Sequence, residues 1–210
     1  MTYFRAHYQD GLIAVSWLAT LAGVLTLSAT EAGWTHNTIR LALVYYGIAA
    51  VLMLRLRPEE WFAAEGRGRL ARWCWTLAWL SYVIHVGLAF HFYHQWSHAH
   101  AVAHTRQVSG WGAGIYVSHL FTLLWGLDVV WWWLMPVAYA RRSAWIDRLL
   151  HGFLAFIIFN GTVIFESGFV RWFGLLMFIV LAVLRFQKSE IRSEKSRSLK
   201  SKIYTSRGPC

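Results

Sequence analysis

Apolar residues come in six long runs separated by short polar stretches, at about 11–29, 39–54, 73–93, 113–135, 146–165 and 169–186. A helix needs about 20 mostly apolar residues, rising 1.5 Å each, to cross the hydrocarbon core of a bilayer. The second run is the shortest; it is extended by Arg55, whose long stem can lie along apolar surface while its guanidinium stays wet. The pattern predicts an all-α fold, a polytopic transmembrane helical bundle of six spans occupying residues 1–186. Beyond that the chain turns to Lys, Arg and Ser, with only Leu199, Ile203 and Tyr204 to bury. No core forms from such a segment, so 187–210 is expected to be a basic, disordered tail.

Composition agrees with the pattern. Of 210 residues 57% are hydrophobic and 14% charged, and mean hydropathy is +0.40, which is not the balance of a soluble domain. With two Cys and three Pro, a disulfide-stapled secreted module and a collagen-like chain are excluded. The 14 Trp, 13 Phe and 9 Tyr suit a chain in contact with lipid headgroups; Trp73, Trp75, Trp79, Trp131, Trp132 and Trp133 are placed as belt residues.

The net charge of +10 acquires meaning from its distribution. With six spans, the amino terminus, second loop, fourth loop and tail share one side and carry 17 of the 20 Lys and Arg; Arg40, Arg106 and Arg171 lie opposite. The positive-inside rule then predicts both termini in the cytoplasm of a bacterial cell, an inner-membrane location, and the first, third and fifth loops outside. This argues for membrane topology and against nucleic-acid binding. The first run, preceded by Arg5, has features of a signal peptide, but its length favours a retained span. The lipid bilayer is thus the first partner, and the tail is a segment that anionic lipids attract, at up to about 1 kcal/mol per cation. Cys74 and Cys210 fall on the cytoplasmic side, where no disulfide is expected, and the final Gly-Pro-Cys is not a prenylation box.

Seven of the ten His cluster between the third span and the outer half of the fourth: His85, His91, His94, His98, His100, His104 and His119. They include two H-x3-H pairs, His94/His98 and His100/His104, and the H-x2-H pair His91/His94. If the third helix continues past Tyr93, His91, His94 and His98 share one face. Neutral imidazole is a ligand for zinc, copper and iron, and H-x3-H on a helix lets two rings reach one ion. His91, His94, His98, His100 and His104 are therefore candidate metal ligands, with His85 and His119 beneath them as further ligands or orienting groups. No H-E-x-x-H glutamate and no Cys accompanies them; Glu166 and Glu31 are the nearest carboxylates on that side. The alternatives are ordinary interfacial hydrogen bonding and pH sensing by several imidazoles together.

Ionisable groups inside a bilayer are costly and point to function by default. Asp128 and His151 fall at similar depths toward the cytoplasmic side and could pair, as a structural helix-to-helix contact or a proton relay. His85, His119 and Asn160 fall in the outer half and predict a polar layer beneath the His-rich loop. Gly110, Gly112 and Gly114 stand where a loop meets a helix, and turn geometry accounts for them.

The stretch His98-Ala99-His100 to His104-Thr105, with Tyr116-Val117 and Leu120-Phe121-Thr122-Leu123-Leu124-Trp125, resembles a segment of a bacterial multi-pass membrane family of unknown function, which lends no activity. The H-x3-H pairs resemble the His boxes of membrane desaturases and hydroxylases, but the H-x2-H-H box is absent and the ligands would face the wrong side. Six short spans are also similar to haem-binding ferric-reductase-like proteins. His85/His98 and His91/His104 are each 13 apart, an interval that suits two stacked haems, but His151 has no partner at that interval. No Gly-x-Ser-Gly of a rhomboid-type protease, no P-loop and no Rossmann fingerprint is present.

The expectation is a multi-pass membrane protein that binds zinc, copper or iron through its His-rich exterior loop. The alternatives are a b-type haem electron carrier using His85, His91, His98, His104 or His119, a non-catalytic subunit with membrane-protein partners, and a transporter centred on Asp128 and His151.

Overall fold

A computed structural model describes residues 2–28 and 30–206. Helix follows helix, with no strand among the described residues: α1 (Thr2–Thr26), α2 (Glu31–Arg55), α3 (Gly66–Phe92), α4 (His98–Ser109), α5 (Gly114–Leu134), α6 (Pro136–Ala140), α7 (Ala144–Phe159) and α8 (Gly168–Ser206). A 3₁₀ turn, Pro58–Phe62, lies between α2 and α3, and one π-helical segment, Asn160–Ile164, prolongs α7. Six of these helices are long and apolar enough to cross a membrane, at the positions the hydrophobic runs indicate.

Three boundaries differ from the sequence expectation for identifiable reasons. The second span is not short: α2 begins at Glu31, where the Thr30 hydroxyl caps it by accepting from the Gly33 N–H (3.1 Å). Thr35 and Thr38 return their hydroxyls to helix carbonyls, so this polar first third costs hydropathy without breaking the helix. The His-rich segment is not a loop, since Ser97 caps a separate helix, α4, by accepting from the His100 N–H (3.3 Å). The tail to Ser206 continues α8 instead of being disordered. It contains no Pro or Gly before Gly208, and Lys, Arg, Glu, Gln and Leu, which favour helix, are interspersed with its serines. Lys188 anchors its start by donating to the Leu54 carbonyl at the end of α2 (2.7 Å). The prenylation and disulfide readings of Cys210 lie outside the described residues; Cys74 is buried and free.

The core is aromatic. Tyr46 of α2, Trp75 of α3, and Phe121 and Trp125 of α5 meet with ring centroids 5.0–6.0 Å apart. Trp132 stacks on Tyr139 at 4.7 Å with an interplanar angle of 2°. Where apolar surface gains nothing by leaving lipid, helices associate through close packing and interhelical hydrogen bonds, and both are present. A Cβ on Gly126 would lie 2.8 Å from the Trp79 ring, and one on Gly174 would lie 2.7 Å from the Thr162 hydroxyl. The Trp17 indole donates to Ser81 (3.0 Å) and the Trp79 indole to the Thr122 carbonyl (3.1 Å). Leu120, Leu123, Leu127 and Leu134 of α5, and Trp172, Leu176, Ile179 and Phe186 of α8, point outward and leave both helices with an exposed apolar face.

Candidate functional site

The end of the bundle carrying α4 holds the imidazoles. Helix α3 stops at Phe92, and the chain reverses through 93–97 with Gln95 and Trp96 in the left-handed region (φ 49° and 58°). Non-glycine residues rarely adopt it. The turn is tied by the Trp96 N–H to the Phe90 carbonyl (3.0 Å) and the Ser97 N–H to the His94 carbonyl (2.7 Å). The reversal dissolves the expected stripe of His91, His94 and His98, because only His91 remains on α3.

It brings other pairs together. His94 folds inward, 8% exposed, against Phe90, with its ring 5.3 Å from that of His104 on α4. Its Nδ1 is buried without a hydrogen-bond partner among the described residues. Burial, then the neighbouring His104 and His100, hold the His94 pKa below the usual histidine range. His98, on the other side of α4, stacks on His119 of α5 (5.6 Å, 28°) and touches Tyr116. His91 accepts from the Trp96 indole through Nδ1 (3.3 Å), and His100 is exposed. The five candidate ligands thus divide among separate places. Among the described residues no three His, Cys, Asp or Glu side chains gather as a metal site.

The expected polar layer also divides. His85 Nδ1 lies 2.9 Å from the Thr35 carbonyl; a carbonyl only accepts, so Nδ1 carries the proton and Nε2 a lone pair. His119 lies on the outward side of α5, along a shallow groove with Trp79 and Leu123. Asn160 donates to the Phe156 carbonyl of its own helix (2.8 Å). Neither haem-type pair, His85/His98 or His91/His104, shares a ring contact; His98 and His104 contact His119 and His94 instead.

Beneath α4 a cavity of about 550 Å³ opens between α2, α3, α5 and the π segment. His104 and Tyr93 lie at its α4 end with His36 and Glu166, and Tyr46, Phe121, Trp125 and Ile158 form its walls. The sequence pattern did not single out His36, Tyr82 or Trp125; each lies in an apolar helix, and only helix packing turns them toward one space.

At the opposite end Asp128 and His151 come close without pairing directly. Arg142, from the segment after α6, stands between them, its side chain 4% exposed. It donates to Asp128 Oδ1 (2.5 Å) and Asp147 Oδ1 (2.5 Å), and lies 2.7 Å from His151 Nε2. Asp128 Oδ2 accepts from the Trp75 indole (2.9 Å) and the Tyr139 hydroxyl (3.0 Å). Burial and the Asp128 charge push the Tyr139 pKa well above the ordinary phenol value, so it stays protonated and keeps donating. Arg142 also covers the Tyr139 ring at 3.9 Å. Every carboxylate oxygen of Asp128 has a partner, which is how a structural ion pair is arranged.

Compared with family models, curated proteins and solved structures, the chain matches none.

Proposed function

We propose that this chain is an integral protein of the bacterial inner membrane, with both termini in the cytoplasm, that holds one transition-metal ion between His94 and His104 at its periplasmic end. The observation that carries this reading is the buried, unpartnered Nδ1 of His94 in a ring packed against a second imidazole. Leaving a buried polar atom unsatisfied costs about 1–3 kcal/mol, and an ion accepting its lone pair would remove that cost. With metal–nitrogen bonds near 2.0–2.1 Å and a tetrahedral angle, two imidazoles on one ion have ring centroids about 5 Å apart. The 5.3 Å separation fits. Two nitrogen donors without thiolate or carboxylate suit copper or zinc, with water or an incoming ligand completing the shell. His100, which already influences His94 electrostatically, is a candidate third donor.

The membrane reading is supported by six apolar helices, and the orientation by the cations gathered at the α6 end and in the α8 extension. That extension would rest on anionic headgroups.

The test is elemental analysis of full-length protein purified in mild detergent and exposed to limiting zinc or copper. About one equivalent should be retained, lost in His94→Ala and in His104→Ala, and kept in His91→Ala and His98→Ala. Retention in His94→Ala, or no retention by the unaltered chain, would overturn the assignment. A reporter fused after Gln107 that reads as cytoplasmic would overturn the topology.

A further inference from the structure

We infer that the cavity beneath α4 binds a neutral, bilayer-soluble ring compound bearing hydrogen-bonding oxygens, the chemistry of a quinone or quinol. The inference does not depend on a metal at His94 and His104. A volume of about 550 Å³ lies within the usual ~300–1,000 Å³ of sites for small organic ligands. The walls are flat and apolar, from Tyr46, Phe121, Trp125 and Ile158, and ring faces of this kind favour another ring.

The polar groups select the head of the ligand. Trp125 is 2% exposed, forms part of the cavity wall, and has its Nε1 hydrogen buried with no acceptor. A carbonyl or hydroxyl oxygen brought alongside would supply one. His85, with Nδ1–H committed to the Thr35 carbonyl, offers Nε2 as an acceptor for a ligand hydroxyl. Tyr82 and Ser118 share a hydrogen bond at 3.2 Å in the same lining. A donor and an acceptor beside apolar ring faces, with further polar groups in the lining, match a ring with oxygens and do not match a hydrocarbon tail.

Charge excludes the other common lipid chemistry. Among the described residues no Lys or Arg lines the cavity, and Glu166 does, so a phosphate or carboxylate head would be desolvated beside a like charge without a cation. The cavity sits at the depth of the apolar helices, which makes the bilayer the ligand's source. Its floor includes Gly161 and Thr162 of the π segment, a backbone form frequent at functional sites.

The experiment uses the full chain in lipid nanodiscs, titrated calorimetrically with decylubiquinone, with empty nanodiscs as the partitioning blank. Saturable binding near one equivalent is expected. Trp125→Phe, which keeps the ring and removes the N–H, should weaken it about five- to tenfold, and His85→Gln should weaken it similarly. His119→Ala, on the outward groove, should leave it unchanged. Decyl phosphate, an anion with the same chain, should not compete. Partitioning indistinguishable from the blank, equal affinity in Trp125→Phe, or displacement by decyl phosphate would each overturn the assignment. Should His85→Gln fail to fold, Trp125→Phe alone decides.

Discussion

The Asp128 network and the His94 turn treat their buried polar groups in opposite ways, although the α6 end also holds an Arg72 Nε that has no hydrogen-bond partner among the described residues and lies over the Trp132 and Trp133 rings. At the α6 end, Asp128, Arg142, Tyr139, Trp75 and His151 interlock so that both carboxylate oxygens of Asp128 have partners. At the α4 end, His94 Nδ1 and, deeper, Trp125 Nε1 are withdrawn from water and given none. A satisfied buried network is a structural fastening, whereas a native polar atom left unpaired calls for a specific account: strain, the face of an aromatic ring as for Arg72, or a bound ligand or ion. Asp128 belongs to the fastening, and the indole of Trp125, in the same apolar helix, borders the cavity with its N–H unpaired among the described residues.

The largest effect should come from breaking the fastening. Arg142→Met leaves Asp128 buried without its cation, at a cost of about 3–5 kcal/mol, read as loss of folded, monodisperse protein in detergent. Adding Asp128→Asn should recover a large part of the loss. If Arg142→Met melts with the unaltered protein, the contrast between the two ends fails.

Next, Gly174→Val should push α8 off the π segment, since even a Cβ there would crowd Thr162. Overpacking of this sort costs about 1–3 kcal/mol, visible as a lowered melting temperature, and it should also deform the cavity floor. An unchanged melt would show that α8 gives way freely.

The third effect is pH dependence at the α4 end. Because the folded state holds the His94 pKa below the ordinary value of about 6.5, the unfolded chain binds the proton more readily, and stability falls as pH drops below that value. Between about pH 7 and pH 5 the melting temperature should decline, and His94→Gln should decline less. Bound metal should be released over the same interval, since protons compete for imidazole. Equal slopes in the two proteins would remove His94 from the account.

The smallest effect belongs to Asn160→Ala. Among the described residues its side chain bonds only to its own helix, so thermal stability should change by no more than about 0.5 kcal/mol. A larger loss would reveal a partner for Asn160 beyond Phe156.

Hydropathy located all six long helices because burial in lipid is a property of a continuous stretch of residues. It underestimated α2, where Thr35 and Thr38 are polar in a hydropathy sum yet bond back to their own helix. It read α4 as loop, since caps such as Ser97 act through one hydroxyl that a window average does not register.

What the sequence by itself determined is the number and order of apolar helices, the concentration of cations on one side of them, and the presence of many imidazoles near one end. These follow from composition and spacing along the chain. Tertiary structure alone decided that His94 meets His104 while His98 meets His119, that Arg142 stands between Asp128 and His151, and that Trp125 and His85 border one cavity. Each of those depends on how helices rotate and approach one another, and in lipid that is settled by close packing and by partners for polar atoms, contacts between residues far apart in the chain.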